Sequence, residues 1–264
     1  MQVGAPFSVP DFVSDRIYCR ADLGLALNTG RKPLFFADGV SWNPYIAKTD
    51  RKTTTVLHKL RPHTPDPRLV NVWLDLCEFA RSANVAYQTK QKIRGDLFQE
   101  AVVSVQYRLM ALEHEDGSGE RPVQEMMVRL GMLVFCATAF VQMKGLSSGP
   151  YLPARLKNWL LSAAMNPEPR SKEAGQGCPG VAESERMILL RLKLWLLYIA
   201  AISVMHGADH EGLLMSMVSN TLSALGFSSW TEVRDVLMEH VWIDWIDGKA
   251  GQTLTEKALV YLRS

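Results

Sequence analysis

The stretch His206-Gly207-Ala208-Asp209-His210 gathers two imidazoles and a carboxylate within five residues. These are side chains that carry protons or bind metals. An imidazole changes charge near neutral pH, so His206 and His210, with Asp209 beside them, are the candidate general acid–base groups. Zinc also takes His and Asp, but it needs three or four ligands in a set geometry. No second cluster in the sequence completes such a set, and no metal is expected. Asp209 has a simpler reading as a helix N-cap, because its short side chain accepts from a free backbone N–H.

A second group surrounds an apolar run. Arg191 and Lys193 interrupt the run, Trp195 and Tyr198 follow closely, and Trp242 and Trp245 stand further on. Charges in an apolar helix must be paired or reach water. The two cations therefore imply either an ion pair or an anionic group on a ligand. At two residues' spacing they lie about 160° apart in bearing, since each helical residue advances about 100°. One pocket does not easily take both. Dense tryptophans ordinarily fill a core, and they also wall apolar small-molecule sites. Arg191, Lys193, Trp195, Tyr198, Trp242 and Trp245 are the candidate ligand-binding residues.

Other patterns carry less. Gly145-Leu146-Ser147-Ser148-Gly149 has the G-x-S-x-G form, yet it follows a helical period and precedes Pro150. A hydrolase needs a strand leading into that turn and a helix directly after it. Asp244 and Asp247 share a helix face, but no aspartate-rich run accompanies them to hold magnesium and a diphosphate. With no Rossmann or Walker glycine loop either, no cofactor is expected.

The elements that must position these residues are helices. From Met187 to Met205 only Arg191, Lys193 and Ser203 break an apolar or aromatic series. A run apolar on all sides marks a helix enclosed by others. Its charge-free part, Leu194 to Met205, is far short of the roughly 20 residues that cross a bilayer. Residues 186–206 therefore read as the central helix, with no membrane span. Upstream, Asp66 and Pro67 supply an N-cap and a first helical residue. Leu69, Val72, Trp73, Leu76, Phe79, Ala80 and Ala83 then keep one helical face. Further helices are predicted over about 94–114, 122–140 and 153–165. Residues 166–184, rich in Pro, Gly, Glu and Ser, read as a flexible surface loop, with a lid over the central helix as the functional alternative.

Downstream, the 213–225 period stops at Gly226 in the C′ role. Ser229-x-x-Glu232 is a capping box for a helix running to about Trp245, and Thr253-x-x-Glu256 is a second box opening the last helix. Residues 1–67 show no sustained period and read as an irregular N-terminal arm with room for one short helix. Its basic end (Lys48, Arg51, Lys52, Lys59 and Arg61, with His58 and His63) lacks the interleaved aromatics of a nucleic-acid surface. The fold class is all-α: a single domain of about eight helices over 68–264 around a central apolar helix, preceded by the arm.

Composition sets the outer bounds. With 47% hydrophobic and 21% charged residues, the 264-residue chain is ordinary globular material. A chain of this length buries enough surface to fold without a disulfide or metal. Its formal charge of +2 argues against a general nucleic-acid binder. Cys19, Cys77, Cys136 and Cys178 are widely spaced and form no C-x-x-C pair, which suits free thiols in a reducing compartment. The N-terminal residues lack the basic and apolar regions of a signal peptide. A cytoplasmic or nuclear location is expected.

The C-terminal half resembles the C-terminal helical regulatory region of fungal zinc binuclear-cluster transcription factors. The residues carrying the resemblance are Leu225-Gly226, Ser229-Trp230, Val233, Leu237, Trp242-Ile243-Asp244 and Gly251. Upstream, VQYRLMAL and VRLGMLVFCATAF look like that family's paired helices, so the resemblance spans about 68–260. Its motifs concern packing rather than chemistry. In the family, WIDGKAG would be a turn; here Ile246 and Ala250 stand where His and Pro are common. The family's DNA-reading module needs six clustered cysteines, and this chain holds four scattered ones. Specific DNA binding is not expected.

Two functions follow. The resemblance implies a regulator that senses an apolar small molecule or binds a protein partner, with a homodimer compatible with either. The alternative is a metal- and cofactor-independent enzyme of fungal secondary metabolism, a cyclase or isomerase that shapes an apolar metabolite with one acid or base.

Overall fold

The apolar run around Trp195 is enclosed, as its composition demands. A computed structural model describes residues 14–35, 41–44, 66–92, 95–115, 123–139, 150–165, 179–203 and 208–262. Among them are nine helices and no strand, so the architecture is all-α. In chain order these are α1 (Ser14–Thr29), α2 (Pro67–Thr89), α3 (Gly95–Glu115), α4 (Val123–Ala139), α5 (Tyr151–Met165), α6 (Pro179–Ser203), α7 (Ala208–Leu225), α8 (Trp230–Met238) and α9 (Asp244–Tyr261). No described helix is long and apolar enough to cross a membrane.

Helix α6 packs against α4, α7, α8 and α9. Leu192 and every residue from Leu194 to Ala200 are buried. Burying each large apolar side chain stabilises the fold by roughly 1.5–3 kcal/mol, which makes this helix the main organiser of the core. The close approach of α4 depends on Gly131. A Cβ at that position would run into the Trp195 ring.

Helix α2 starts as its sequence predicts. Asp66 accepts from the Arg68 backbone N–H at 2.8 Å, Pro67 takes the first turn, and Lys90 closes the helix in the left-handed region at φ 54°. Its buried stripe runs through Leu69, Val72, Trp73, Leu76, Phe79 and Ala80. Across the α2–α3 contact Arg108 donates to Asp75 at 2.5 Å, both side chains fully buried. Arg108 also reaches the carbonyls of Ser104 and Asn43, which ties residues 41–44 to the body.

Three expectations are corrected. Residues 14–29, counted within an irregular arm, form the four-turn helix α1, whose Leu23, Ala26 and Leu27 are buried. The i, i+3, i+4 spacing of these three is short, and polar neighbours hide it. Helix α6 begins at Pro179, inside the stretch read as loop; only 166–178 lie outside the described residues. The third correction concerns the C-terminal region. Helix α8 ends at Met238 rather than near Trp245, residues 239–243 turn, and α9 runs unbroken from Asp244 through the supposed WIDGKAG turn and Thr253. Thr253 Oγ1 donates to the Lys249 carbonyl, one turn back, so it caps nothing. Without the family's proline, 245–251 have nothing to stop a helix. The Gly226 and Ser229 signals, by contrast, act as predicted: Gly226 has φ 70°, and Ser229 and Glu232 form the reciprocal capping box.

Candidate functional site

Arg191 and Trp195 lie one turn apart on α6, so they share a face. That face meets the turn 239–243. Arg191 Nη1 donates to Glu239 Oε2 at 3.3 Å, in a pair open to solvent on both sides. Trp195 Nε1–H donates to the Val241 carbonyl at 2.8 Å. Between these two links sits His240, 4% exposed. Its ring stacks on Trp195 with centroids 5.9 Å apart and 19° between planes, and it meets Trp73 edge-on at 6.0 Å. Trp73 and Trp195 close the corner with centroids 4.9 Å apart at 80°.

The electrostatics of this corner are one-sided. Burial pushes the His240 imidazole down to about 4; the Arg191 charge adds to that, and the Val236 carbonyl opposes it. The ring is therefore neutral near pH 7. His240 Nδ1 lies 2.8 Å from the Val236 carbonyl oxygen. A carbonyl only accepts, so Nδ1 holds the proton and Nε2 presents a lone pair. His240 Nε2 and Arg191 Nε are both buried without a hydrogen-bond partner. Buried polar atoms rarely stay so.

The other aromatic candidates have spent their polar atoms internally. Tyr198 O–H lies 2.7 Å from Thr255 Oγ1, which itself donates to the Gly251 carbonyl at 2.9 Å; Tyr198 is thus the donor of the pair. Burial lifts that phenol further above its ordinary value. Trp242 is buried, with Nε1 directed at Asp244 Oδ1 at 3.4 Å. Trp245 is separate from all of these: it is 50% exposed and stacks on exposed Tyr87 with centroids 5.2 Å apart. Lys193 is half-buried on a different bearing from Arg191.

His206 lies outside the described residues. Asp209 and His210 fall in the first turn of α7, but their side chains lie outside the described residues. The same is true of the 145–149 glycines, of Cys178 and of the basic stretch 48–63. Among the described residues no group of three or more His, Cys, Asp or Glu comes together as a metal site. Cys77 and Cys136 are free and buried, and burial pushes both thiols up, away from thiolate chemistry.

Comparison with known proteins finds no matching family model, no similar curated protein and no similar solved structure.

Two functional residues were missed in the sequence. His240 had a signal: Val233, Leu237 and His240 fall at i, i+4 and i+7, so the histidine occupies a core-facing position. Asp247 was noted only beside Asp244. The structure separates their roles. Asp244 is held below the usual carboxylate range, first by its hydrogen bonds from Arg234, at 3.0 and 2.8 Å. Asp247 is pushed up to about 6 by burial and by the neighbouring Asp244 charge.

Proposed function

We propose that the chain is a regulatory helical module that senses a small apolar molecule, and that it does so without reading DNA itself. The observation supporting this reading is the corner formed by Trp73, Trp195, Arg191 and His240. It offers aromatic walls and two buried polar atoms, one donor and one acceptor, with no internal partner. Sites for small molecules commonly have this composition, mostly apolar with a few directed polar groups. The corner is roofed by the Arg191–Glu239 pair. Half-exposed ion pairs are weak, worth about 0–1 kcal/mol, so such a roof opens cheaply. An output is also at hand. The turn carrying His240 leads directly into Trp245, whose exposed stack with Tyr87 is the kind of aromatic surface that anchors protein partners. The transcriptional character of that output rests on the sequence resemblance, and four scattered cysteines cannot build the family's DNA-reading cluster.

One observation favours the enzymatic alternative. Asp247, titrating at about 6, is poised for acid–base work near neutral pH in a cofactor-free cyclase or isomerase. A single experiment addresses both. The purified chain is screened by native mass spectrometry and thermal unfolding against apolar metabolites, and each bound compound is recovered after long incubation. A sensor raises the unfolding midpoint and returns its ligand unchanged. Conversion that Asp247→Asn abolishes would establish the enzyme instead, and no binding at all would end the sensing reading.

A further inference from the structure

Which ligand chemistry fits the corner follows from the two unpartnered atoms. Arg191 Nε carries a hydrogen and can only donate. His240 Nε2 carries a lone pair, since Nδ1–H is committed to the Val236 carbonyl, and can only accept. The walls add nothing polar, because the Trp195 N–H is already used on Val241. A group bridging both nitrogens must therefore accept from one and donate to the other. A carboxylate, phosphate, ketone or ether satisfies Arg191 but turns an oxygen lone pair toward Nε2. An ammonium satisfies Nε2 but confronts the guanidinium. A hydroxyl does both.

We propose that Arg191 and His240 hold the hydroxyl of an apolar alcohol or phenol, with Arg191 Nε–H donating to its oxygen and its O–H donating to His240 Nε2. The stacked ring of Trp195 and the edge of Trp73 give the ligand's carbon skeleton its apolar surroundings. This rests on the sensing reading above and narrows it to one class of ligand. Selectivity should be steep, because a ligand without the hydroxyl leaves two buried polar atoms unpaired.

The test uses the full chain with phenol, anisole and toluene as probes, titrated through the millimolar range. The readout is the ¹⁵N resonance of His240 Nε2, assigned by its loss in His240→Gln. Phenol is expected to move that resonance saturably; anisole and toluene should leave it in place. Arg191→Lys keeps a cation facing Glu239 but removes the Nε donor, and it should weaken phenol binding about tenfold or more. Glu239→Gln, which leaves Nε intact, should not. Folding of each variant is checked by thermal unfolding, and Arg191→Met serves as a second substitution if the lysine variant is unstable. Phenol and anisole binding equally well, or phenol binding that leaves Nε2 unmoved, would refute the hydroxyl assignment while the sensing reading stands. No saturable response to phenol, with Nε2 already hydrogen-bonded in the free protein, would mean that water alone fills the bridge, and the inference fails. The metabolite screen decides the sensing reading separately.

Discussion

Two tryptophans chosen for the same reason in the sequence play opposite parts. Trp242 is buried beneath Gly251, where a Cβ would meet the Trp230 and Trp242 rings at 2.7 and 3.2 Å. Trp245, three residues on, keeps half its surface in water against Tyr87. Trp242→Ala should cost about 3–5 kcal/mol, the transfer loss plus an unfilled cavity. Trp245→Ala should cost less than about 1 kcal/mol, since little packing is lost. Urea unfolding of the two variants checks the contrast; equal losses would place Trp245 in the core and remove the partner surface. The same contrast limits what residue types alone can reveal. Arg191, Trp195, Tyr198 and Trp242 were legible as interior residues from their apolar neighbours. Which of them had polar atoms to spare depended on carbonyls at Val241 and a hydroxyl at Thr255, 46 and 57 residues away.

At the scale of elements, capping separates a working signal from a coincidental one. Ser229 and Glu232 close the N-terminus of α8, with the Ser229 N–H donating to Glu232 Oε2 at 2.9 Å. Helix α8 has only nine residues, so it depends on such ends. Ser229→Ala should destabilise by about 1 kcal/mol. Thr253→Ala should change stability by less than about 0.5 kcal/mol, because the same S/T-x-x-E pattern there lies inside α9. Thermal unfolding of both variants separates them, and a large loss at Thr253 would contradict a continuous α9. Helices with long, clean periods, such as α2 and α6, could be read directly. Their boundaries and the course of 239–253 could not. A capping box is a local pattern, whereas helix continuity there depends on Gly251 nesting against Trp230 and Trp242 from α8 and the following turn. The short α1 was hidden for a related reason: Asp22 fixes it from afar, accepting from Tyr107 at 2.9 Å and from the Leu34 and Phe35 backbone at 2.8 and 2.9 Å.

For the whole molecule, two buried groups should oppose each other as pH falls. His240 is depressed from 6.5 to about 4, so between those values the unfolded chain binds a proton that the fold refuses. Its stabilising contribution is complete above 6.5 and is lost as pH falls toward 4. Asp247 is raised from 3.8 to about 6, so the fold binds a proton before the unfolded chain does. Acidification through that window therefore stabilises the fold. Each term is on the order of 3 kcal/mol, since one pKa unit corresponds to about 1.4 kcal/mol. Asp244 does not interfere: its pKa lies below 3.8, so its contribution is lost only at lower pH. Together the two terms should leave the wild-type stability nearly flat from these groups between pH 6 and 4. The variants expose them. Measured by urea unfolding at a series of pH values, His240→Gln minus wild type should rise by about 3 kcal/mol on acidification, and Asp247→Asn minus wild type should fall by a similar amount. Differences are used because all other titrations cancel in them. A His240→Gln curve parallel to wild type would mean that the imidazole titrates freely, and the neutral acceptor on which the hydroxyl site depends would then be absent.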